Sequence, residues 1–338
     1  MSTLILMLSL AGCDKVQALL NNPAKAVEAA DAKLKSGDLA GAAEAYDAAV
    51  KKSPTNVDVA NGAAYMKVLA GDFEAADAIL AAAEPTAGDK TAEIKLRRAF
   101  VALEAGDLDK VKEFATASGL PQGQLLAAEV ELADGNRDAA KALLESAKAD
   151  PGPVGQTATT YLALMADENL LVAGLCDAQA LWALGKRRIA VRSVEDLVKA
   201  YAEAREDGAD QLLLWAGRAA AVGEPAIATS LLDSITVPPP GQGWRVQATR
   251  AMVACADGDG AGCIAQFEAV RAGAPADGYA DARATAAHAI AEKDPATART
   301  LLEGVSGDVA ARAWAALGDK AAAASAASDP TLKSQLGG

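Results

Sequence analysis

A Gly-Asp dipeptide followed by small and large residues at fixed offsets returns along most of this 338-residue chain at a period near 34. In Gly37 to Pro54, Ala42 stands at plus 5, Tyr46 at plus 9, Ala49 at plus 12 and Pro54 at plus 17. Those offsets put two small residues and one large one on a single helical stripe, and the proline ends the helix. A chain built this way has no use for strands. It must stack helix against helix, with the small residues marking where two helices come close.

The pattern holds register along the chain. Turn glycines at 37, 71, 106 and 135 are separated by 34, 35 and 29 residues. Gly71 is followed by Ala76, Leu80 and Ala83, and Gly135 by Ala140, Leu144, Ala147 and Pro151. Between Gly152 and Asp207 the register loosens. Leu170 to Leu184 reads as an apolar helix, and Ser193-Val194-Glu195-Asp196 as the capped start of a helix reaching Arg205. From Gly223 it recovers, with Ala228 and Leu232, and it is clearest at Gly258, with Cys263, Phe267, Val270 and Pro275. Weaker units follow around Lys293, with Ala298 and Leu302, and around Gly318, with Ala323. Eight or nine hairpins are expected between about Pro23 and Asp329.

This pattern resembles the tetratricopeptide repeat family, in which a turn glycine is followed by alanine, aromatic, alanine and proline at those offsets. The resemblance implies an all-α protein, an α-solenoid of antiparallel helix hairpins in a right-handed superhelix, whose inner face binds a protein or peptide. In that family the inner face is lined from the first helix of each hairpin. Carried onto this chain by counting back from each turn glycine, the partner-groove candidates are Asn61, Tyr65 and Val68, then Leu96, Phe100 and Leu103, then Leu125, Glu129 and Leu132. They form an apolar strip with polar rims, suited to an amphipathic helix or an extended peptide. The Lys and Asn cluster with which some members clamp a peptide carboxylate is not evident.

Composition agrees with helices. Half the residues are hydrophobic yet 4% are aromatic, so alanine, the best helix former, carries much of the apolar count. The formal charge of -13 makes the average surface repel a phosphate backbone, which argues against nucleic acid as a partner. One histidine, His288, leaves no material for His-based metal sites or a Ser-His-Asp arrangement. No nucleophile, base and orienting partner occur in spaced order, so an enzyme is the least favoured class, and no cofactor is expected.

Residues 1–12 are uncharged and apolar but too short to span a bilayer, which takes about 20 residues. Leu10-Ala11-Gly12-Cys13 resembles the lipobox of bacterial lipoproteins, in which the bond before the cysteine is cut and the cysteine is acylated. The expectation is therefore a signal peptide over 1–12, a lipidated Cys13 and a short tether over 13–22. The rest divides into helical repeats over 23–235, a proline-rich loop over 236–243, further repeats over 244–330 and a polar tail over 331–338. That layout implies a lipoprotein of a bacterial cell envelope, held to a membrane by its acyl chains and facing the periplasm.

Other constellations compete with this reading. Asp257, Asp259 and Glu268 occupy the first, third and twelfth positions of an EF-hand calcium loop, which gives the alternative of a calcium- or ligand-responsive sensor. The loop and the repeat make opposite demands, since residues 260 to 268 are ligand loop in one and helix in the other. Cys255 and Cys263 flank one turn and fit either a disulfide in an oxidising compartment or two small buried residues. Cys176 is then left over. Lys186, Arg187, Arg188 and Arg192 read as a solvated turn, or as a basic patch for an acidic partner or lipid. Thr236 to Gly243, with three consecutive prolines, is a rigid loop within the array or a seam between two arrays.

Overall fold

The computed structural model describes residues 23–36, 38–201, 208–329, 332, 333 and 336. Residues 1–22, on which the expected signal peptide, lipidated Cys13 and tether fall, lie outside the described residues, as do Gly37 and Arg205. Among the described residues all regular structure is helical, in two compact units, Met1–Thr160 and Tyr161–Gly338.

The first unit stacks four hairpins: α1 (Pro23–Lys35) with α2 (Leu39–Lys52), α3 (Val57–Leu69) with α4 (Phe73–Ala83), α5 (Thr91–Ala105) with α6 (Leu108–Ser118), and α7 (Pro121–Ala133) with α8 (Arg137–Ala147). Helix α9 (Pro153–Met165) follows, and the division between the units falls inside it. The second unit pairs α10 (Leu170–Ala183) with α11 (Arg187–Ala200), α12 (Ala209–Ala221) with α13 (Pro225–Asp233), α14 (Gly243–Asp257) with α15 (Gly260–Val270), α16 (Ala276–Ile290) with α17 (Pro295–Leu302), and α18 (Asp308–Ala316) with α19 (Lys320–Ala326).

A Gly-Asp dipeptide makes four of the described turns. Gly71, Gly106, Gly258 and Gly318 have φ of 75°, 78°, 91° and 76°, the left-handed conformation that ends a helix and that a side chain resists. The N–H of the next residue then bonds the carbonyl five residues back, as in Asp72 to Lys67 at 2.9 Å, Asp107 to Ala102 at 2.9 Å and Asp259 to Ala254 at 3.0 Å. That same aspartate caps the second helix, its carboxylate accepting from Ala75 N at 3.1 Å, Lys110 N at 3.2 Å or Gly262 N at 2.9 Å. The glycine closes one helix and the aspartate opens the next. Two residues therefore suffice for the connection.

The offsets after the turn are core positions. Ala42, Ala76, Ala140, Ala228, Ala298 and Ala323, all at plus 5, have no exposed surface. Tyr46, Leu80, Leu144, Leu232, Phe267 and Leu302, all at plus 9, are at most 2% exposed. At Gly106 the sizes are exchanged, with Val111 at plus 5 and Ala115 at plus 9, both fully buried. Gly123 on α7 accommodates that change, since a Cβ there would lie 2.4 Å from the carbonyl oxygen of Ala115. Replacing Ala42 or Ala76 by leucine is expected to overpack these closed contacts and cost about 1–3 kcal/mol. Chemical denaturation of the two variants measures it, and a neutral result for both means the register is misplaced.

Two sequence expectations change here. Helix α11 begins at Arg187 and runs through Ser193, which is mid-helix and not a cap. The reason is Gly185, whose φ of 76° and the Lys186 N–H bond to Leu181 O at 2.9 Å reproduce the standard turn, with Lys186 where other units have aspartate. Ala190 and Val194 then occupy plus 5 and plus 9 and are fully buried. The proline-rich loop is non-helical but lies within the second unit, where one core cluster extends from Leu171 to Ala313 on both sides of it.

Candidate interaction surface

The candidates read from the sequence lie on the first helices α3, α5 and α7, of which α3 packs on α5 and α5 on α7. Tyr65 and Phe100 are 50% and 46% exposed, while Asn61, Val68, Leu96, Leu103, Leu125 and Glu129 are partly buried. Leu132 is a correction: it is fully buried in the core, whereas Val68 and Leu103, at the same offset from their turn glycines, are partly buried. Asn61 Oδ1 is buried without a hydrogen-bond partner. The strip is thus two exposed aromatic rings set among half-buried neighbours.

The calcium loop does not form. Asp257 ends α14, Asp259 caps α15, and residues 260 to 270 are helix, which places Glu268 on a helical face instead of a ligand loop. Glu268 meets the Tyr279 hydroxyl at 3.5 Å and Arg271 at 3.6 Å. The repeat supplied the carboxylates, and its helix took the residues that an ion would need.

The cysteine pair is resolved in favour of a bond. Cys255 near the end of α14 and Cys263 in α15 form a disulfide, with Cα atoms 5.0 Å apart. Cys176 is buried and takes no part in the disulfide, its thiol donating to the Tyr161 carbonyl at 3.8 Å. The basic cluster opens α11 and is not a solvated turn. Its charges oppose the helix dipole there, and Glu224 answers them, 3.8 Å from Arg188 and 3.1 Å from Arg192. His288 is exposed.

A concavity in the second unit was not among the sequence expectations. It has a volume of about 490 Å³ and is lined mainly by first helices: the end of α10, then α12, α14 and α16. Each of the last three contributes residues three or four apart, as Leu214, Gly217, Arg218 and Ala221 on α12, so that one stripe per helix faces the space. Trp182 and Trp244 provide aromatic walls. Gly278 lets the Trp244 ring approach α16, because a Cβ there would sit 2.6 Å from Trp244 Cη2. Three of the four tryptophans, Trp182, Trp215 and Trp244, stand 33 and 29 residues apart, close to the repeat length. That spacing was the available signal.

Two arginines reach this groove. Arg218 lies over both Trp182 and Trp215, with its Cζ 4.8 Å and 4.4 Å from their ring centres, and its Nη1 donates to Gln179 Oε1 at 2.7 Å. Burial pulls its pKa down, with a small opposing influence from Tyr161. Arg245 Nη1 donates to Gln242 Oε1, and Gln242 in turn donates to Asp210 at 2.7 Å. Thr249, buried, donates to the Arg245 carbonyl at 2.9 Å and fixes its side chain inward. Such a groove binds by stacking, apolar contact and charge. Thr249, Asp281 and Thr285 are its other polar groups.

Among known families, residues 33–97 match the profile of the tetratricopeptide repeat. No curated protein sequence matches the chain. Among solved structures, the chain is similar to the crystal structure of the P58(IPK) TPR domain, at 17% identity over 93% of this chain and 96% of that one, with a TM-score of 0.23. The chain is TPR-like, on the family match and on its own repeated hairpins.

Proposed function

We propose that this protein is a lipid-anchored, non-catalytic scaffold that holds other proteins or peptides in a bacterial cell envelope. The observation that carries the binding half is the groove between the first helices of the second unit, apolar and aromatic with two arginines. Repeated hairpins supply such a surface without any reacting group, and hairpin arrays build extended binding faces of this sort. The anchoring half is supported by Leu10-Ala11-Gly12-Cys13 after an apolar run. No described helix is long and apolar enough to cross a membrane, so an acyl anchor is the means of attachment that the sequence suggests.

Two experiments test the two halves. Replacing Cys13 by alanine is expected to abolish acyl labelling and to move the protein from the membrane to the soluble fraction; a variant that stays membrane-bound removes the anchor from the proposal. In vivo cross-linking followed by purification from intact envelopes is expected to yield a defined partner. A chain that cross-links to nothing above the background of an unrelated lipoprotein is not a scaffold.

A further inference from the structure

Two of the arginines that lie over aromatic rings, Arg98 in the first unit and Arg218 in the second, are treated differently. Arg98, in the first unit, lies 4.0 Å over the Phe114 ring and is paired with Asp77 at 2.6 Å and Glu84 at 2.7 Å. Burial works against its charge, yet those two carboxylates raise its pKa overall. Arg218 has the same aromatic support but bonds an amide, Gln179, and its pKa falls. Among the described residues no carboxylate pairs with Arg218 or with Arg245, although the chain carries 45 acidic residues against 32 basic ones. Asp281 lines the same groove and is exposed, outside pairing distance of either. A guanidinium does not give up its proton, so Arg218 is a partly buried cation supported by two rings and an amide but by no carboxylate.

A second observation points to a ligand. Gly217 sits in the middle of α12, where glycine costs roughly 1 kcal/mol relative to alanine. Nothing lies within 4 Å of the position its Cβ would take, in contrast to Gly123 and Gly278, which are required by close packing. Gly217 therefore leaves space in the groove beside Arg218 that no neighbour uses.

We propose that this groove takes a peptide segment of a partner protein presenting an acidic side chain among apolar ones, with the carboxylate on Arg218 and the apolar side chains against Trp182 and Trp244. The inference rests on the scaffold reading and names the partner's chemistry. The chain's average surface repels an acidic partner at long range, so recognition is short-range, within a partly dry groove where a charge-assisted bond is strong. Arg245, tied to Gln242, stands ready for a second acidic group.

The test uses protein labelled with 5-fluorotryptophan, whose four fluorine signals report separately on Trp182, Trp215, Trp244 and on Trp314, which does not line the groove. The probe is the capped peptide acetyl-Ser-Leu-Asp-Leu-Ser-amide, with its asparagine counterpart and sodium acetate as controls. The expected result is saturable shifts of Trp182 and Trp244 with the aspartate peptide, at least tenfold weaker binding of the asparagine peptide, and no shift of Trp314. Arg218→Gln is expected to abolish the preference for aspartate. Gly217→Leu, which fills the groove without disturbing a packed contact, is expected to abolish binding while leaving helicity and melting unchanged or improved. Equal binding of the two peptides, equal shifts with acetate alone, binding unaffected by Gly217→Leu, or no saturable shift overturns the proposal. A partner recovered from envelopes whose capture survives Gly217→Leu leaves the scaffold reading standing and removes this site alone.

Discussion

Replacing Trp215 by alanine is expected to destabilise the second unit by about 3–5 kcal/mol, the largest effect of any single truncation in that unit. Trp215 is 1% exposed and is the largest fully buried side chain among the described residues. It sits in the middle of the core cluster that joins α10 through α18, with its ring edge-on to Trp182 at 5.8 Å. Alanine would leave a cavity that rigid helices on either side cannot close, and would remove the aromatic pair as well. Arg218 would lose one of the two rings on which it rests, so groove binding should weaken with stability. Trp215→Phe, which keeps an aromatic core, should recover most of the loss. Urea denaturation followed by far-ultraviolet circular dichroism measures both. A loss under about 1 kcal/mol for the alanine variant would falsify the packing described here.

Much of this core was legible because the repeat writes it in a form that a one-dimensional reading detects. The turn glycine, the small residue at plus 5 and the large one at plus 9 are local to one helix, and their burial follows from helical geometry alone. Gly185 was missed for a local reason too. Lys186 follows it, where aspartate, asparagine or glutamate follows the turn glycines at 71, 106, 135, 223, 258 and 318. The left-handed turn needs the glycine and tolerates any following residue, as Lys186 and Glu224 demonstrate.

The groove was less legible, because its formation depends on what three or four helices present together. Arg218 looks like any other arginine until Gln179, Trp182 and Trp215 are placed around it. Leu132 keeps the offset of Val68 and Leu103 yet is fully buried, because burial at that offset depends on what the neighbouring helices bring against it and not on the helix alone. The calcium reading failed where two patterns used the same residues. Asp259 satisfies both, but the helix after it places Glu268 for the repeat alone.

Removing the disulfide is expected to have the second largest effect. It joins Cys255 and Cys263 across the Gly258 turn, a sequence separation of 8, and closing so short a loop in the unfolded chain contributes about 2–3 kcal/mol. The double variant Cys255→Ala, Cys263→Ala isolates the bond from the packing. Cys263 occupies plus 5, where seven other repeats carry alanine, and both cysteines are at most 3% exposed. If these cysteines acted as small buried residues alone, two alanines would be nearly neutral. If the bond forms, the double variant should melt roughly 5–10 °C lower, the shift expected for such a loss in a unit of this size. Thiol titration in denaturant should release two more thiols after reduction than before it. An oxidised and a reduced protein with the same melting temperature would remove the bond from the account. A bond that forms also bears on location, since disulfides persist in oxidising compartments such as the periplasm and are lost in a reducing cytosol. Material recovered from envelopes should therefore carry it, and the same chain made without its first twelve residues and kept in a reducing cytosol should not.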